Sequence, residues 1–246
     1  MNFQKLCVIL LFATVCAGGS ASATCSNASL KGVFGYLHGR AGADPATVTL
    51  GQLTLDGQGK ITSGVWTETY SGTIYNGTAT GKYAIAKNCT GTMTIVGEDD
   101  STDHYNIYVN AGGNMFQMIE NDADSNQPGF GLAQGTVKCG LSGTTVVLTT
   151  NLLGNTNGDL ADTVGQVTLN GKGKISGNET FTLDGNITKS AVTGTYTESS
   201  TCTGTWQITP KGGTALNFNT VVVNGGKEVL LIETDNDTIT AGNAQE

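Results

Sequence analysis

The chain has 246 residues with 12 bases against 20 acids, a net charge of −8 and only 13% charged residues, where an ordinary domain carries about 25%. Such an acidic, weakly charged chain has no electrostatic footprint for nucleic acid or anionic lipid. No stretch has the length of apolar sequence that a membrane-spanning helix needs.

Met1 to Ala23 reads as a secretory signal: Lys5 is the positive n-region, Cys7 to Ala17 the apolar core, and Ala21-Ser22-Ala23 the cleavage site. Its removal leaves 11 bases against 20 acids, about −9. Acylation at Cys16 is the lipoprotein alternative, although Val15 stands where a small residue is usual. The expected destination is the periplasm or the extracellular space. Composition agrees, because Thr, Ser, Asn and Gly take the place of charge while Val, Leu, Ile and aromatic residues recur at strand spacing.

The remaining chain reads as two copies. Cys25 and Cys139 are 114 residues apart, as are Gly51-Gln52-Leu53-Thr54-Leu55-Asp56-Gly57-Gln58-Gly59-Lys60-Ile61 and Gly165-Gln166-Val167-Thr168-Leu169-Asn170-Gly171-Lys172-Gly173-Lys174-Ile175. Gly81-Lys82-Tyr83 leading to Cys89-Thr90-Gly91-Thr92 returns 113 residues later as Gly194-Thr195-Tyr196 leading to Cys202-Thr203-Gly204-Thr205. Ile119-Glu120-Asn121-Asp122 answers Ile232-Glu233-Thr234-Asp235, and Ala133-Gln134 answers Ala244-Gln245. The expected units are residues 24–134 and 139–246, joined by residues 135–138, too short to be a free linker.

Within the first copy, strand-like segments fall near 30–37, 47–55, 60–70, 72–79, 81–87, 91–97, 103–110 and 114–120, with a tail near 129–134. Asp56-Gly57, Asn76-Gly77, Asn170-Gly171, Asp184-Gly185 and Asn224-Gly225 are dipeptides that accept the positive φ of hairpin turns. No amphipathic helix stands out. The fold class is therefore all-β: two tandem antiparallel meander barrels of about eight strands, closure removing the sheet edges. A pair of β-sandwiches is the alternative. Four cysteines outlast the signal, and their distribution over the copies pairs Cys25 with Cys89 and Cys139 with Cys202, one bridge per copy. With no CxxC and no partnering histidine, a metal site is not the reading.

Two hairpins are apolar on both faces: Val221-Val222-Val223 with Val229-Leu230-Leu231-Ile232, and Tyr105 to Val109 with Met115 to Ile119. Such strands are covered on both faces. The expectation is that they dock on each other, through Val221, Val222, Val223, Leu230 and Ile232 on one side and Tyr108, Phe116 and Met118 on the other.

The paired Gly-x-Tyr…Cys-Thr-Gly-Thr motif, with Leu-Asp-Gly-x-Gly-Lys before it and Ile-Glu-x-Asp after it, resembles uncharacterised secreted β-rich proteins of environmental bacteria. More loosely, the meander is similar to calycin-type barrels, lipocalin-like and allene-oxide-cyclase-like. The calycin resemblance implies a ligand in a barrel lumen, or a cyclase- or isomerase-like enzyme using a lumen carboxylate.

Chemistry is sparse. His38 and His104 have counterparts near Leu152 and Asn217 and read as exposed strand histidines; no triad, HExxH, Walker loop or dinucleotide fingerprint occurs. Asp122, Asp124 and Asn126 have the alternating oxygens that open a calcium loop, without its glycine and distal glutamate, so calcium is the one cofactor candidate and solvated acids the alternative. Glu120 and Glu233 read as rim carboxylates at strand exits. Trp66, Tyr70, Tyr75 and Tyr36 form a possible sugar-stacking platform, in one copy only since Glu179 stands opposite Trp66. The functional expectation is an exported, non-enzymatic structural or binding module; the alternatives are a carrier of a small apolar ligand and a barrel enzyme.

Overall fold

The computed structural model describes residues 24–40, 46–123, 125, 127–136, 139, 142–155 and 161–246. The signal segment with Cys16, residues Asp124 and Asn126 of the calcium candidate, and positions 137 and 138 of the linker lie outside the described residues.

The chain is all-β. The first eight strands are β1 (Lys31–Arg40), β2 (Thr47–Asp56), β3 (Lys60–Tyr70), β4 (Thr73–Ile85), β5 (Thr90–Gly97), β6 (Thr102–Val109), β7 (Met115–Glu120) and β8 (Pro128–Ala133). They form an antiparallel meander closed by pairing of β1 with β8. The second eight are β9 (Ser142–Asn155), β10 (Ala161–Asn170), β11 (Lys174–Leu183), β12 (Asn186–Glu198), β13 (Thr203–Pro210), β14 (Leu216–Val223), β15 (Glu228–Glu233) and β16 (Thr238–Gln245), closed by β16 on β9. The disulfides join Cys25 to Cys89 and Cys139 to Cys202, one per barrel. Among the described residues no helix is long and apolar enough to cross a membrane.

Local chemistry explains the recurring motifs. Asp56 Oδ1 accepts the backbone N–H of Gln58 (2.7 Å) and Lys60 (3.0 Å), and Asn170 Oδ1 does the same for Lys172 (2.8 Å) and Lys174 (3.0 Å). The turn wraps round one side-chain oxygen, and Gly57 and Gly59, like Gly171 and Gly173, take the positive φ it demands. The tyrosine of the first Gly-x-Tyr plugs the floor of barrel 1: Tyr83 Oη donates to the Leu30 carbonyl (2.7 Å) and accepts from Gly57 N–H (2.8 Å). Asp122 and Asp235 are matching clamps. Asp122 accepts from His104 N–H (2.7 Å), and Asp235 from Asn217 N–H (2.7 Å) and Nδ2 (2.7 Å), each tying the segment after one strand to the start of its neighbour.

Two expectations about strands change. Asn76-Gly77 does not turn; the chain reverses at Ser71-Gly72, both at positive φ, and β4 runs unbroken through the two segments expected there. Gly77 faces Trp66 across the β3–β4 ladder, and a Cβ there would run into the indole, so this glycine makes room for a ring. The shared Ala-Gln ending is not a structural match either. Ile119 pairs with Pro128 and Ile232 with Ala241, so Ala133 corresponds to Glu246.

Three apolar clusters hold the molecule together. Leu53, Leu55, Ile61, Tyr83, Met93, Ile107, Phe116 and Met118 fill barrel 1, and Val146, Val167, Leu169, Ile175, Trp206, Ile208, Val229 and Leu231 fill barrel 2. The third lies between the barrels: Val221, Val223, Leu230, Ile232, Ile239 and Ala241 against Ala46, Val48 and Leu50, with Leu37, Phe130 and Leu132 alongside. The barrel 2 half of the expected contact is in place, except that Val222 points into its own barrel.

The barrel 1 half is corrected. Phe116 and Met118 face their own lumen, and Tyr108 is 60% exposed. β6 and β7 alternate strictly, and beside Tyr108 their outer faces present the polar Asn106 and Gln117. β15 is buried at every position, as is β2 from Thr47 to Gly51. Val48 and Leu50 supply the apolar surface, and Gly35 offers no side chain, its Cβ position being occupied by Val221 and Val223. Asn219 Nδ2 donates to Thr67 Oγ1 (2.8 Å), Gln52 Nε2 to the Thr201 carbonyl (2.6 Å) and Asp237 N–H to the Gly72 carbonyl (3.1 Å) across the same seam.

Candidate functional site

Barrel 1 is packed at its floor and hollow at its mouth. The inner faces of β1 to β6 there enclose a cavity of about 370 Å³ lined by Tyr36, His38, Thr49, Trp66, Glu68, Tyr70, Tyr75, Ile95, Asp99, Ser101, Asp103 and Tyr105. Period-2 alternation puts Tyr36 and His38 on one face of β1, and Trp66, Glu68 and Tyr70 on one face of β3. Gly51 pairs with Tyr36, and a Cβ at 51 would collide with the phenol, so Tyr36 and Trp66 each lie across a glycine on the neighbouring strand. The four aromatics of the possible platform are thus brought together.

His38 is the first correction at the site. It is 6% exposed and faces inward, with Tyr36 stacked on it (centroids 5.8 Å, planes 11° apart) and Tyr105 edge-on at 5.4 Å. Tyr105 Oη lies 3.4 Å from His38 Nε2. Burial pulls the imidazole down to about 4, so the ring is neutral at pH 7. Gln127 beside it opposes this slightly, but the geometry stops short of a hydrogen bond, leaving His38 Nδ1 and Gln127 Oε1 without one. Burial likewise pushes the Tyr36 and Tyr105 phenols up, with Asp103 adding to both.

The carboxylates are raised as well. Glu68 accepts from Thr49 Oγ1 (3.2 Å), but burial outweighs this and repulsion from Asp103 and Glu120 adds to it. Asp103 rises by burial and then by the nearness of Asp122. Asp122 ends below the ordinary range: burial pushes it up, and the His104 backbone N–H and imidazole, the latter 2.8 Å away, outweigh that. His104 is exposed, as expected.

Glu120 and Glu233 are not rim groups in water. They are 9% and 3% exposed: Glu120 shares the inward side of β7 with Phe116 and Met118, and Glu233 the inward side of β15 with Val229 and Leu231. Asp103, Glu120 and Asp122 have carboxylate oxygens within 4.8 Å of one another and so could hold a cation, although no calcium-loop arrangement is described around them.

Among the described residues, barrel 2 does not repeat this lining. Its register places Leu148 at the position of Tyr36, Thr150 at His38, Glu179 at Trp66, Phe181 at Glu68, Leu183 at Tyr70, Leu216 at Asp103 and Phe218 at Tyr105. Where Trp66 lies over Gly77, Glu179 accepts from Ser190 Oγ (3.0 Å). His38 thus answers Thr150, not a residue near Leu152. Sequence reasoning passed over His38, Glu68, Asp103 and Tyr105 as a group because they sit on three strands; the alternation Phe34, Tyr36, His38 was the available signal.

No protein-family model and no curated protein matches the sequence. Among solved structures, one from Nitrosomonas europaea described as a putative AttH matches over 86% of this chain and 91% of its own, at 7% identity and a TM-score of 0.27. A likeness that distant carries no argument about fold or function.

Proposed function

We propose that this is an exported, non-enzymatic binding module, calycin-like in holding its ligand at the open end of a barrel, with one small-molecule site in the mouth of barrel 1. The observation that carries the reading is the cavity itself: five aromatic rings, buried polar groups and carboxylates lining the mouth of barrel 1, a set that the described residues of barrel 2 do not repeat. Pockets that bind small molecules combine apolar walls with a few placed polar groups in this way. Export is supported by the N-terminal signal pattern and by two disulfides, which persist in oxidising compartments. An apolar ligand filling the lumen finds less support, since Leu53, Leu55, Tyr83 and Met93 already occupy it.

A second reading, a lumen-carboxylate enzyme, is favoured by one observation: Glu68, His38 and Tyr105, whose titration burial shifts away from the ordinary range, share the cavity. Native mass spectrometry of the protein purified from its own source tests the binding proposal. One retained small molecule per chain, lost in Trp66→Ala, is expected. No retained molecule, or one indifferent to Trp66→Ala, overturns it; a chemically altered molecule released on standing would favour the enzyme.

A further inference from the structure

Resting on that binding site, we propose that its ligand is a small organic cation, an amine or quaternary ammonium group seated against the aromatic walls and surrounded by the carboxylates. The walls are lined by Trp66, Tyr70 and Tyr75, together with the more buried Tyr36 and Tyr105. Ring faces are the negative pole of the aromatic quadrupole and attract cations, Trp most strongly. Glu68, Asp99 and Asp103 complete the lining, and among the described residues it holds no Lys or Arg.

These carboxylates repel one another across the cavity, and His38 is held neutral by burial, so it offers no compensating charge. A bound cation relieves that repulsion. A neutral ring gains nothing from it, and an anion is repelled. His38, more than nine-tenths buried, lines the same cavity with Nε2 3.4 Å from Tyr105 Oη. The net charge of the chain draws cations towards it in solution. Barrel 2 has Leu183, Leu216 and Phe218 at the matching positions, so the chemistry belongs to one site.

The test is a titration of the full chain at pH 7.5, followed by Trp fluorescence, with choline chloride, tetramethylammonium chloride, glucose, sodium acetate and calcium chloride. Both ammonium salts should change the emission saturably. The change should be absent in Trp66→Phe and weaken with added NaCl. Glu68→Gln and Asp103→Asn should each weaken it about tenfold, while circular dichroism shows both variants folded.

Arg40, whose backbone ends β1 at this rim, separates the opposite chemistry: Arg40→Gln should leave ammonium affinity equal or tighter. Tighter binding of glucose or acetate, loss of binding in Arg40→Gln, or a calcium response equal to that of choline overturns the proposal. If neither ammonium salt binds while native mass spectrometry still shows a retained molecule lost in Trp66→Ala, the cation chemistry falls and the site stands. If nothing is retained either, both fall.

Discussion

At the scale of single residues, the mouth of barrel 1 holds groups that weaken the fold, and the direction of each is set by pH. Glu68 is a carboxyl whose folded value is raised, mainly by burial. The unfolded chain therefore releases its proton first as pH rises, and stability falls across the interval from the ordinary glutamate value to the raised one. Glu68→Gln should raise the melting temperature at pH 7.5 and lose that advantage by about pH 4, in differential scanning calorimetry at both pH values. His38 works in the other direction. Its folded value is lowered from 6.5 to about 4, so the unfolded chain takes up a proton first on acidification and stability is lost as pH falls through that window. At about 1.4 kcal/mol per pH unit, His38 removes about 2 kcal/mol between pH 7.5 and 5. His38→Thr, which installs the residue of barrel 2 at this position, should cancel that difference in urea unfolding at the two pH values, whatever the substitution costs at either.

At the scale of elements, the meander, both disulfides and the turn motifs were legible because each rests on local chemistry: period-2 alternation, cysteines distributed over two copies, and an Asp or Asn oxygen beside glycines. The docking face was half legible. β15 is apolar at both parities, which announces two covered faces. In β2 the signal is subtler. Val48 and Leu50 are apolar on one parity and Leu53 and Leu55 on the other, so the apolar side switches at Gly51-Gln52, and the residues before the switch meet barrel 2. The same switch occurs in β10, where Val164 stays exposed; pattern alone therefore could not say which barrel's switch is used. The site was illegible for a related reason, since its members come from separate strands and meet only once the register is set. Val221, Val223, Leu230 and Ile232 each contribute about 1.5–3 kcal/mol on burial. Leu230→Asp puts a carboxylate into that seam, and small-angle scattering should show a longer, jointed particle whose far-ultraviolet β signal is unchanged. A compact particle with an unaltered melting temperature would remove Leu230 from the contact.

At the scale of the whole molecule, the seam and the site share strands. β1, β2 and β3 carry Tyr36, His38, Thr49, Trp66 and Glu68 inward, and Leu37, Val48, Leu50, Thr67 and Thr69 outward towards barrel 2. Barrel 2 thus braces the wall that holds the aromatic and acidic groups, while among the described residues its own core holds Trp206 and Phe218, with Leu148 and Leu216 at the positions of Tyr36 and Asp103. The proposed division is a buttress in barrel 2 and a binding site in barrel 1, despite the sequence similarity of the halves. Hydrogen-exchange mass spectrometry on the protein from its own source, before and after its retained molecule is stripped, tests this most directly. The account predicts ligand-dependent protection confined to peptides spanning 34–40, 64–75 and 95–106, with none across 161–210. Equal protection in both barrels, protection in β10 to β13 alone, or none anywhere would contradict it.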